Sequence, residues 1–191
     1  VTSEPFTDVR VRQAFRLMVD RKQMIDNALL GHGKVGNDMF SWFDPDYASD
    51  LPQREYDPEQ AKSLLKQAGK EGMTIELATA EAGPVMVESA TLLAEQAKAA
   101  GVNVKLSKSA ADQYYSGPYA KFPFASTTWP GRPLAEQFIF CVTQDAPINE
   151  TNWKKPEFDA IVKDAFAELD DAKRKTLLGD AQKVLYDEGG Y

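Results

Sequence analysis

Histidine and cysteine are nearly missing from this chain of 191 residues, which has only His32 and Cys141. One cysteine excludes an internal disulfide, and so excludes a scaffold stapled in place of a core. It also excludes a thiolate zinc cluster, and one histidine excludes paired-histidine ligation, so no metal site or cofactor is predicted. Long apolar runs are missing too. No stretch approaches the ~18 residues that a membrane span needs, and direct membrane insertion is not expected. Positive charge is in deficit, with 22 Lys and Arg against 29 Asp and Glu for a net −7. That argues against nucleic acid, whose counterions only a basic face displaces.

What is present is ordinary globular material, 43% hydrophobic and 27% charged, long enough for one domain with a core. Thr7 reads as the N-cap of a helix burying Val11, Ala14, Phe15, Met18 and Val19, with Arg10, Arg12 and Arg16 on the other side. Asp20, with Gln23 three residues on, starts a second helix that Gly31 closes. Residues 32–56 form a long Gly-, Asp- and aromatic-rich loop with Trp42, Phe43 and Tyr47, either functional or packed down by its own aromatics. Asp57-Pro58-Glu59-Gln60 opens a third helix with Ala61, Leu64, Leu65 and Ala68 inward and Gly69 as its stop.

Alternation at Met73, Ile75 and Leu77, a helix over 84–100, and alternation at Val102, Val104 and Leu106 make a βαβ unit with parallel strands. A short helical piece at 110–116 and a third strand at 124–128 follow. Two more helices start at Pro156 and behind Asp170. The first turns Phe158, Ile161, Val162, Ala165, Phe166 and Leu169 inward; the second runs to about Asp187. The expected fold is one α/β domain over 1–191, a small mixed or parallel sheet flanked by helices.

Catalytic constellations are scarce. His32 lies between glycines at a helix exit, and no Gly-x-Ser-x-Gly elbow follows a strand. Most carboxylates stand at helix starts, where orphan N–H groups account for them. Asp44, Asp46 and Asp50 lack the glycine and terminal glutamate of a calcium loop. They leave one enzyme alternative open, a small hydrolase using loop carboxylates. Cys141 sits in an apolar run and reads as a buried structural thiol. The pointed signal is Thr127-Thr128-Trp129-Pro130-Gly131-Arg132-Pro133, between a strand and a helix and therefore at the carboxyl edge of a sheet. Trp129 offers a flat apolar wall, Arg132 a fork for a carboxylate or phosphate, and Gly131 room for close approach. The other reading of these residues is a turn with Trp129 packed inward and Arg132 solvated.

Several segments resemble the peptide/nickel/opine-type solute-binding proteins of ABC importers, family 5. Pro5-Phe6-Thr7-Asp8-Val9-Arg10-Val11-Arg12-Gln13-Ala14 with Val19-Asp20-Arg21 is similar to the start of that family's C-terminal lobe. Tyr56 through Gly69 is similar to its Tyr-Asp-Pro-Glu helix, and Pro156-Glu157-Phe158-Asp159 to a later one, with Lys155 where Asn is usual. The resemblance implies one lobe of a periplasmic-binding-protein type II-like fold, in which two lobes close over a ligand by a hinge and no bond chemistry occurs. It implies a periplasmic or lipid-anchored location, permease subunits as partners, no enzyme activity, and a chain that is a fragment whose signal segment lies elsewhere. It places a ligand contact at Trp129, which favours the ligand reading of Gly131 and Arg132 as well, and an aromatic near the ligand at Tyr114, for which packing is the equal alternative. Arg132 stands where peptide-binding members carry an acid for the peptide amine, which suggests a ligand presenting an anionic group.

Overall fold

A computed structural model describes residues 1–116 and 119–191, with only the backbone at 120, and its contacts gather the chain into two compact units. The α/β unit comprises residues 3–35 and 54–129; the helical unit comprises residues 1–2, 36–53 and 130–191.

In the α/β unit, carboxylates set the first three helix starts. Helix α1 (Val9–Leu17) is capped by Asp8, whose side chain accepts from Arg10 N at 2.8 Å. This corrects the expected Thr7 cap: Thr7 donates its hydroxyl to Glu4 instead, and the charged oxygen of Asp8 takes the orphan N–H. Arg16 is also corrected, being buried rather than on an outer face. Helix α2 (Arg21–Ala28) has Asp20 accepting from Gln23 N, and α3 (Pro58–Gln67) has Asp57 accepting from Gln60 N with Pro58 in the first turn, both as the sequence predicts.

Strand β1 (Thr74–Ala80) pairs in parallel with β2 (Asn103–Ser109), from Thr74↔Asn103 to Ala80↔Ser109. Helix α4 (Met86–Gln96) and a 3-10 turn (Ala97–Ala100) make the crossover, so the βαβ expectation holds. The core joins Val11, Phe15, Met18, Leu65, Ile75, Leu77, Val102 and Val104, and Phe124 packs edge-on against Phe15 with centroids 5.2 Å apart. Helix α5 (Ala111–Tyr114) follows. The third strand at 124–128 reduces to a single parallel bridge, Ala78↔Ala125. Ala78 N donates to Phe124 O and Ser126 N to Ala78 O, and Pro123 just upstream has no N–H with which to extend a ladder.

In the helical unit, α6 (Leu134–Gln137) runs into a π-helical turn (Phe138–Val142), and α7 (Pro156–Ala167) pairs with α8 (Asp171–Glu188). Asp170 caps α8 through Lys173 N. Phe138 and Trp153 flank Phe158 edge-on at 5.1 and 5.2 Å. Phe158, Val162 and Ala165 face inward as expected, whereas Phe166 and Leu169 are exposed. Three buried positions at i, i+4 and i+7 already fill the stripe that α7 turns to α8, leaving Phe166 one step round the helix. The loop 36–53 has no regular structure and is held by a buried amide. Gln182 on α8 accepts from Ala48 N at 2.8 Å and donates to Asp46 O at 2.8 Å.

Candidate functional site

The loop's aromatic tip is strapped to the segment carrying Gly131 and Arg132, within the helical unit. Ser41 Oγ donates to Arg132 O at 2.6 Å, and Leu134 N donates to Asp44 Oδ2 at 2.8 Å. Asp44 thereby supplies the cap that the chain leading into α6, Arg132-Pro133, does not. Its other oxygen accepts from Asp46 N at 2.9 Å. Between these straps, a Cβ on Gly131 would lie 3.1 Å from Phe43 Cε1, so the close approach that glycine permits here is by the Phe43 ring. Trp42 crosses Phe43 edge-on at 6.0 Å, and the two stay 47% and 52% exposed.

Arg132 is held from several sides. Its guanidinium lies over the Phe140 ring at 4.4 Å, and its Nε stands 3.9 Å from Glu136 Oε1, one turn on. The side chain keeps 24% of its surface exposed. Phe140 is on the π-helical turn, an irregularity that changes which side chains share a helix face. A guanidinium stacked on a ring loses less freedom on gripping a carboxylate or phosphate than a free one.

In the α/β unit the parallel bridge runs with β1, so Thr127, Thr128 and Trp129 continue towards the sheet's carboxyl edge. Trp129 is half-buried, and a Cβ on Gly83 would meet Thr128 Oγ1 at 2.6 Å. At the same edge a cavity of about 200 Å³ is lined by Glu81, Val87, Lys108 and Ser109 among others. Tyr114 is 0% exposed. Its hydroxyl donates to Ser126 O at 2.7 Å and lies 3.0 Å from Ala78 O, clipping the bridge to β1. The structure thus gives Tyr114 a packing role: the ring is enclosed and its polar atom is taken by backbone.

The remaining sequence candidates are placed as follows. His32 is exposed, and its backbone N–H closes the exit of α2 on Leu29 O at 2.8 Å. Cys141 is buried, with Sγ donating to Gln137 O at 3.2 Å, and burial pushes its thiol up. Among the described residues no group of three or more His, Cys, Asp or Glu is arranged to hold a metal, and no helix is long and apolar enough to cross a membrane.

Sequence reasoning missed Ser41, Phe140 and Glu150. The Ser41-Trp42-Phe43-Asp44 run was a signal for the first; the stacking of Phe140 on Arg132 depends on a π turn that has no sequence signature. Glu150 accepts from Tyr191 Oη at 3.0 Å, and burial raises its carboxyl to about 7 against that lowering hydrogen bond. Tyr191 is itself held above the ordinary phenol range, by burial first and the Glu150 charge next, so it remains the donor.

Similar proteins share this architecture. The dipeptide-binding protein of Escherichia coli (strain K12) is 28% identical over 199 residues, covering 98% of this chain and 37% of that protein. The chain therefore spans just over a third of that relative's length. DppA of Helicobacter pylori, a periplasmic binding protein solved with the peptide STSA, superposes with a TM-score of 0.85 at 20% identity, covering 99% of this chain and 38% of that one. AgaA from A. tumefacien R10, solved with agropinic acid, gives 0.82 at 20% identity, covering 98% and 40%. At these identities the likeness is one of fold, the periplasmic-binding-protein type II class with its small parallel sheet. The family model described as bacterial extracellular solute-binding proteins, family 5 (middle region), matches residues 1–172, and the chain belongs to that family.

Proposed function

We propose that these 191 residues act as one ligand-binding lobe of a periplasmic or lipid-anchored solute-binding protein. It captures a small solute or peptide for an ABC importer and is not an enzyme. The lobe closes over its ligand together with residues outside this chain, and the closed form is the one that membrane permease subunits receive. Membership of a family of extracellular solute-binding proteins supports this reading. So does the relative whose name records dipeptide binding.

The observation that carries the ligand class is Arg132. Its backbone is fixed by Ser41 and its guanidinium is backed by Phe140, so a cation is pre-positioned beside Gly131. Arg132 in the helical unit and Trp129 in the α/β unit are each a proposed ligand contact, and within the helical unit Gly131 admits the Phe43 ring. The ligand presents an anionic group. The loop carboxylate that a hydrolase would use first, Asp44, has both oxygens engaged by backbone N–H groups.

A thermal-shift panel of dipeptides, opines and small carboxylates against the full-length protein tests this. At least one anionic ligand raises Tm, and Arg132→Ala and Trp129→Ala each abolish the shift while the ligand-free Tm stays within a few degrees. A stabilising ligand whose shift survives both substitutions contradicts the assignment.

A further inference from the structure

Trp42 and Phe43 are large apolar side chains standing about half out of the helical unit, yet they are not on a loose loop. Ser41 on one side and Asp44 on the other bond to the backbone at Arg132 and Leu134, at 2.6 and 2.8 Å. The Phe43 ring lies on Gly131, where any side chain would crowd it. An aromatic pair that stays half exposed while its flanking residues are clamped to the backbone of the segment carrying Arg132 is arranged for contact with something outside the unit. The arginine specifies its charge and the two rings its shape.

We infer that Trp42 and Phe43 form an aromatic ledge beside Arg132, and that the ligand is an anion whose carboxylate or phosphate is attached to a flat, aromatic body. This rests on the solute-binding reading above and narrows it. The acid group meets the guanidinium stacked on Phe140. The ring system lies against Trp42 and Phe43, which are already cross-braced at 6.0 Å and lose little freedom on contact. Stacking of this kind contributes roughly two- to tenfold in affinity per well-placed ring. An aliphatic acid of equal charge forgoes that gain, and a neutral aromatic amide forgoes the guanidinium.

Ligand-observed NMR on the full-length protein tests the inference with three matched probe sets. They are benzoate, phenylacetate and indole-3-acetate; the amides of the same three; and butyrate, hexanoate and octanoate. The expected result is binding by the aromatic acids, with the amides and the aliphatic acids weaker by about tenfold or more. Trp42→Ala and Phe43→Leu each bring the aromatic acids part of the way down to the aliphatic level, with a native melting transition in each variant. Equal binding of aliphatic and aromatic acids overturns the ledge, as does an aromatic preference untouched by both substitutions. If aliphatic acids bind and Arg132→Ala releases them, the solute-binding reading stands and the ledge alone falls. If none of the nine probes binds, the ledge falls, and solute binding is then judged by the thermal-shift panel.

Discussion

Glu150 makes the folded protein's stability depend on pH in a direction the structure fixes. Its carboxylate is half-buried in the helical unit, where burial lifts it from an ordinary 4.5 to about 7 although Tyr191 Oη donates to it at 3.0 Å. The folded chain therefore holds this proton more tightly than the unfolded chain does. The associated stability is complete below pH 4.5 and is lost as pH rises through about 7. The full difference corresponds to roughly 3 kcal/mol at 1.36 kcal/mol per tenfold. Water still reaches part of the group, so about 1–2 kcal/mol is the expected size. Glu150→Gln keeps an oxygen for Tyr191 and cannot ionise. Urea unfolding of the full-length protein and the variant at pH 5 and pH 8 isolates the contribution, since every other titrating group cancels. The variant should gain about 1–2 kcal/mol on the parent protein between those two pH values. A difference that stays flat, or one that favours the parent at pH 8, refutes the buried-carboxyl argument.

Gln182→Leu removes the acceptor of Ala48 N and the donor to Asp46 O inside a packed unit. It should cost roughly 2–4 kcal/mol in urea unfolding, mostly as the unpaired Ala48 N–H. Tyr114→Phe removes the hydroxyl between Ser126 O and Ala78 O, for about 1 kcal/mol, and should speed hydrogen exchange at the Ser126 amide with no change in ligand affinity. Asp44→Ala should destabilise by about 1–2 kcal/mol through loss of two backbone acceptances, and a hydrolase screen should show no activity for it to remove. The 191 residues on their own should bind no solute with sub-micromolar affinity by calorimetry, because the chain is just over a third of its dipeptide-binding relative's length and the proposed lobe carries only part of the proposed binding surface.

Local chemistry was the most legible part of the sequence. Asp20, Asp57 with Pro58 and Gln60, and Asp170 each cap the helix they announce, because a cap is decided within four residues. The βαβ unit was legible from two alternating stretches at crossover spacing. Thr7 was read as the cap one residue too early: Asp8 takes that role, and its ion pair to Arg10 depends on how that side chain curls back. The third strand failed because strand formation needs a partner ladder, and around Pro123 only one residue's worth is available. The inward assignment at Phe166 failed because periodicity fixes the direction of a stripe and not its width, and that at Leu169 because α7 stops at Ala167 and Glu168 is already extended. At the site, Arg132 was legible as a residue type in a telling context. The Ser41, Asp44 and Phe140 contacts that hold its surroundings in place were not, since they join positions up to 91 apart in sequence. Tyr114 shows the limit of carrying an aromatic over by resemblance: the same residue type serves a ligand or a backbone carbonyl, and only burial distinguishes them.

Native mass spectrometry of the full-length protein, purified without denaturation, tests the central claim most directly by weighing whatever it carries. The account predicts a bound species with an acidic group, lost from the Arg132→Ala protein and retained by Tyr114→Phe. A cationic or uncharged cargo, held equally by Arg132→Ala, would contradict it.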